Sequence, residues 1–107
     1  MSTQIGIDEK LIKYLEDVGY RSNETINKLV IDTLALGNVA RMQIAPEQGQ
    51  FLEIIVKISK AKNCLEIGRF TGLSSLCIAK GLPEKGKLVA VNHSDEFLPM
   101  AEKYWKI

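Results

Sequence analysis

A chain of 107 residues has room for one small domain, and 46% hydrophobic with 25% charged residues is an ordinary globular composition. A formal net charge of +1 is too small to suggest a nucleic-acid or anionic-membrane partner, which needs a concentrated basic face; the densest basic group, Lys57, Lys60 and Lys62, reads as a solvated helix end. No stretch approaches the ~18 apolar residues of a membrane span, and Met1 to Lys10 lacks the apolar core of a secretory signal, so a cytoplasmic protein with no membrane partner is expected.

Asp8 can cap a first helix with apolar positions Leu11, Ile12, Leu15 and Val18, ended by Gly19. Asn23 suits the cap of a second helix carrying Ile26, Leu29, Val30 and Leu34, which Gly37-Asn38 stops or bends. A linking segment follows, Val39 to Ala45. Pro46 fits the first turn of a third helix, where its missing N–H costs nothing. Phe51, Leu52, Ile55 and Ile58 form one face of that helix, which ends near Ala61.

The pattern changes at Asn63. Cys64-Leu65-Glu66-Ile67 is short, mostly apolar and meets Gly68, so a buried strand running into a turn is predicted. Thr71 or Gly72 opens the next helix, which Gly81 closes. Pro83-Glu84-Lys85-Gly86 is a turn, and Leu88 to Val91 is a second strand. Ser94 can cap a last helix carrying Phe97, Met100, Ala101, Tyr104 and Trp105. Pro99 fits a first turn better and would move that start towards Leu98. Cys64 and Cys77, both in apolar segments, read as reduced and buried.

Three helices followed by β-α-β-α predict an α/β fold. A helical region, residues 1–45, precedes half of a nucleotide-binding parallel sheet, residues 46–107, and the two form one structural unit.

The most informative stretch is Leu65-Glu66-Ile67-Gly68-Arg69-Phe70-Thr71-Gly72-Leu73-Ser74. A strand there ends in a glycine turn that opens a helix. Glycine lets backbone approach a ligand closely, and the helix start offers free N–H groups and a positive dipole end. Some twenty residues on, such folds place an acid for ribose hydroxyls; the count lands on Asn92. Spacing alone leaves open both a nucleotide-like ligand and a plain α/β turn.

With its upstream segment Met42 to Leu52 and its downstream segments Gly86 to Asn92 and Tyr104-Trp105-Lys106, this stretch resembles the caffeoyl-CoA/catechol type of O-methyltransferase, over about Met42 to Ile107. The resemblance implies a Rossmann-like methyltransferase sheet and methyl transfer from S-adenosylmethionine to a small-molecule hydroxyl. It implies cofactor contacts at Ile44, Glu66, Gly68, Arg69, Ser74 and the ribose position Asn92. Each has a plainer role beside it: Glu66 could pair with a lysine, Ser74 could cap backbone, and Ile44 could be core.

Three departures from the family pattern stand out. Arg69 replaces a small or aliphatic residue and could reach a ligand carboxylate or block the site. Leu73 replaces a usual tyrosine. Asn92 replaces the ribose acid and keeps only the uncharged hydrogen bond, which predicts cofactor binding weaker by roughly tenfold. His93, the one histidine, reads as a solvated loop residue.

In the family a divalent metal is held by later strands and loops, as is the acceptor pocket. Those strands are not among the 107 residues, so no metal ligand and no catalytic residue is assigned. Two parallel strands leave both edges unpaired. The resulting expectations are self-association, a homodimer in the first instance; a fragment of a longer product; or repacking into something mainly helical. Inactivity of the isolated chain is expected in each case, and a non-catalytic interaction module stands as the alternative function.

Overall fold

The computed structural model describes residues 6–106. The first helix, α1 (Glu9–Tyr14), begins where Asp8 Oδ1 accepts from the Leu11 N–H at 2.9 Å. It runs on as a π-helical turn, Leu15–Gly19. Asn23 caps α2 (Glu24–Leu34) in the same way, accepting from the Ile26 N–H at 3.0 Å. A short 3₁₀ helix, Asn38–Met42, takes up much of the expected linking segment. Pro46 lies in the first turn of α3 (Pro46–Ser59), and Lys60 ends it in the left-handed conformation.

Strands β1 (Asn63–Ile67) and β2 (Lys87–Val91) pair in parallel, from Asn63 against Lys87 to Ile67 against Val91. Helix α4 (Leu73–Gly81) connects them, and α5 (Leu98–Trp105) follows. The fold is thus α/β with a two-stranded parallel sheet, as the element order predicts, and the mainly helical alternative is not adopted. The last helix starts at Leu98, not Ser94. A start at Ser94 would put Pro99 in the helix interior, where its ring clashes with the preceding turn. Ser94 Oγ instead accepts from the Glu96 N–H at 3.1 Å and closes a local turn.

The core lies where α2, α4 and α5 meet. Ile26, Leu29, Leu73, Cys77 and Tyr104 are buried there, with Val30, Ile44, Leu76 and Met100 packed around them. Thr33 takes the buried position of α2 that Leu34 was expected to hold, and its hydroxyl pairs with that of Thr71 at 2.9 Å. A buried hydroxyl needs such a partner.

Helix α3 packs on α4 through small residues. A Cβ on Gly49 would lie 2.6 Å from Cys77 Sγ, and one on Gly81 would lie 2.6 Å from the Glu53 carbonyl oxygen. This close approach turns Gly49 and Val56 inward. It leaves the expected face outside: Phe51 is 59% exposed and Ile58 72%, with Ile55 also exposed and Leu52 half-buried. The strands differ from expectation too. Cys64, Glu66, Leu88 and Ala90 are half-buried, whereas Leu65 is 67% and Ile67 82% exposed, with Val89 and Val91 beside them. One face of the sheet is covered and the other is bare.

Candidate functional site

Beyond Ile67 the chain turns sharply, with positive φ at Gly68 (92°), Phe70 (49°) and Gly72 (93°). Glycine adopts this region at little cost. Phe70 holds it with its ring stacked edge-on to Phe97, centroids 5.0 Å apart. The Gly68 N–H donates to the Val91 carbonyl at 2.8 Å, which fixes the turn to the end of β2. Nothing lies within 4 Å of where a Gly68 Cβ would sit, so this backbone is open to close approach. Gly72 plays the opposite part. It precedes α4, and its carbonyl accepts from Trp105 Nε1–H at 3.1 Å.

Ile44, Gly68, Arg69 and Ser74 line one hollow of about 70 Å³. Four of the six sequence-predicted residues therefore converge. Leu73 and Ser74 are the first residues of α4, and no side chain caps that helix. Its unpaired first-turn N–H groups and positive dipole end thus lie at the hollow. Gln43, which motif reasoning did not single out, lines it as well, with its Nε2 buried and unpaired. A buried amide without a partner is the kind of group a ligand satisfies, and no local sequence signal distinguishes it from a surface glutamine.

The other two predicted residues are used within the chain. Asn92 Oδ1 accepts from the Arg69 N–H at 3.2 Å, and Asn92 Nδ2 donates to the Ser94 carbonyl at 2.9 Å. Glu66 accepts a hydrogen bond from the buried Ser75 hydroxyl rather than pairing with a lysine. Ile44 belongs to the rim of the core and to the hollow at once.

The Arg69 side chain is only 7% exposed. Its Nη2 donates to the Ser94 carbonyl at 3.1 Å and lies 3.7 Å from Asp95 Oδ1, while its Nε has no partner. Arg69 also borders a larger cavity of about 480 Å³ between β2, α4 and α5. His93 is exposed. Burial pushes the Cys77 thiol up to about 11, so it stays a protonated packing group at neutral pH. Among the described residues no three His, Cys, Asp or Glu side chains gather as a metal site would need.

The residues fit one end of a polar ligand: an open glycine backbone, a helix start and the Ser74 hydroxyl surround the hollow. At about 70 Å³, it is far smaller than the several hundred Å³ of a complete small-molecule site.

A model of the O-methyltransferase family matches residues 16–107. A catechol O-methyltransferase of Niastella koreensis is 29% identical over 98 residues, 91% of this chain and 43% of the relative. Caffeoyl-CoA O-methyltransferase 2 of Petunia hybrida is 44% identical over 66 residues, 58% of this chain and 27% of the relative. Among solved structures, an O-methyltransferase from Bacillus cereus in complex with SAH (S-adenosylhomocysteine) superposes with a TM-score of 0.79 at 30% identity, over 88% of this chain and 42% of that one. A methyltransferase from Podospora anserina shares the fold alone, with a TM-score of 0.85 at 18% identity over 99% of this chain and 47% of that one. The chain therefore spans less than half the length of these relatives. Matched along most of its length by the family model and by the fold of solved members, the chain belongs to the O-methyltransferase family.

Proposed function

We propose that the hollow beside Gly68 is a half-site for S-adenosylmethionine, inherited from enzymes that methylate a small-molecule hydroxyl of catechol-like type. The observation that carries this reading is the convergence of Ile44, Gly68, Arg69 and Ser74 on one hollow at an uncapped helix start. When bound, S-adenosylmethionine supplies an electrophilic methyl group on a sulfonium sulfur. The free N–H groups of α4 and the Ser74 hydroxyl receive a ligand carboxylate. Gly68 lets the ligand lie against backbone, and Ile44 contributes a main-chain contact. Asn92 offers an amide where an acid would grip ribose more strongly.

Methyl transfer depends chiefly on holding the acceptor oxygen in line with the methyl group. Arg69 borders both the hollow and the larger cavity of about 480 Å³, and among the described residues no three His, Cys, Asp or Glu side chains gather. The isolated chain, which spans less than half the length of its relatives, is inactive or nearly so. No helix among the described residues is long and apolar enough to cross a membrane, and the unpaired Cys64 and Cys77 suit a reducing, cytoplasmic setting.

Calorimetry with S-adenosylmethionine and SAH tests the half-site. Micromolar binding that Ser74→Ala weakens by about tenfold is the expected result. Absence of binding would leave family membership standing and remove the cofactor reading.

A second reading, a self-associating module, is favoured by the exposed stripe on α3. Phe51, Ile54, Ile55 and Ile58 follow i, i+3, i+4, i+7 spacing and are all exposed. That is the spacing of a helix face that buries against another surface, and α3 does not use it for α4.

A further inference from the structure

The loops that follow β1 and β2 are tied to each other by groups that could otherwise receive a ligand. Arg69 stands at the centre. Its backbone N–H donates to Asn92 Oδ1 at 3.2 Å, and its Nη2 donates to the Ser94 carbonyl at 3.1 Å. Asp95 Oδ1 lies 3.7 Å from the same nitrogen. Asn92 Nδ2 donates to the same carbonyl at 2.9 Å, so both ends of that amide are used. Phe70 and Phe97 stack across the two loops. In an open α/β sheet the ligand crevice lies outside the carboxyl ends of the strands, and these contacts sit there.

We propose that Arg69 is a latch that sets the affinity of this crevice for an adenosyl ligand. Its guanidinium holds the β2–α5 loop against the Gly68 turn, and a nucleoside reaches Asn92 only after the latch releases. The proposal rests on the half-site reading above. A ligand that binds only the open form has its apparent affinity reduced in proportion to the open fraction. A charge-assisted hydrogen bond favours the closed form. Its hold is limited, because Arg69 Nε is buried without a partner in that form and would regain water on release. A merely structural arginine differs in sign: deleting it would loosen the loops and weaken binding.

Calorimetric titration of SAH into the full chain, into Arg69→Ala and into Asp95→Ala distinguishes the two. The latch predicts binding about tenfold tighter for Arg69→Ala and about threefold tighter for Asp95→Ala. Asp95 is 83% exposed, so its replacement spares the fold and decides the matter should Arg69→Ala fail to fold. Equal or weaker binding in the folded variants overturns the latch and leaves the half-site intact. No binding by any of the three proteins overturns both.

Discussion

Gly72 shows how much one position decides. A Cβ there would meet Trp105 Nε1 at 2.7 Å and Ala101 Cβ at 2.8 Å, and its φ of 93° disfavours any side chain. Gly72→Ala is expected to destabilise the fold by about 1–3 kcal/mol, measured as a lower midpoint in urea. The glycine turn was readable from the motif, but the reason for the second glycine was not. It is set by Trp105, 33 residues away. Glu66 makes the same point. A carboxylate on an apolar strand needs a partner, and the partner is the Ser75 hydroxyl on the helix packed over it.

Between elements, α5 is tied to α2 through Asp32, which accepts from the Tyr104 hydroxyl and from Lys103 Nζ, the latter at 3.3 Å. The Tyr104 hydrogen bond, then that of Lys103, holds the Asp32 carboxyl below its ordinary value of 3.8. A folded value below the unfolded one contributes stability above pH ~4, lost as pH falls through the folded value. Asp32→Asn is therefore expected to melt below the parent at pH 7, with the difference shrinking as both are acidified below pH ~4; thermal melts across that range check it. Helix boundaries at this scale were readable wherever a cap or breaker acts locally, as at Asp8, Asn23, Pro46 and Gly81. The packed face of α3 was not. Its apolar stripe is real, yet close contact between Gly49 and Cys77, and between Gly81 and Glu53, brings α4 onto the other side.

For the molecule as a whole, the bare faces matter most. Phe51, Ile54, Ile55 and Ile58 on α3 and Leu65, Ile67, Val89 and Val91 on the sheet form two apolar surfaces open to water. Such surfaces commonly mark association sites. Sedimentation is expected to show the chain above monomer mass, and Ile58→Glu to shift it to monomer by burying a charge in the α3 contact. A parent that stays strictly monomeric at high concentration would count against that contact. The ends of the α3 stripe carry opposite charge, Glu47 near the start and Lys57 and Lys60 near the finish. An antiparallel pair of α3 helices would therefore set acid against base.

Residues by themselves determined the order of elements, most helix caps, the glycine turn after β1 and membership of a methyltransferase lineage. The order, caps and turn depend on chemistry within a few positions of the chain, and the lineage on several short motifs in their order. Tertiary structure alone decided which faces are covered, that Thr33 rather than Leu34 is buried, and that Asn92 is occupied by Arg69 and Ser94. An apolar stripe or a polar side chain carries its need for a partner in its own chemistry. Which partner meets that need depends on surfaces that come together only when distant segments pack.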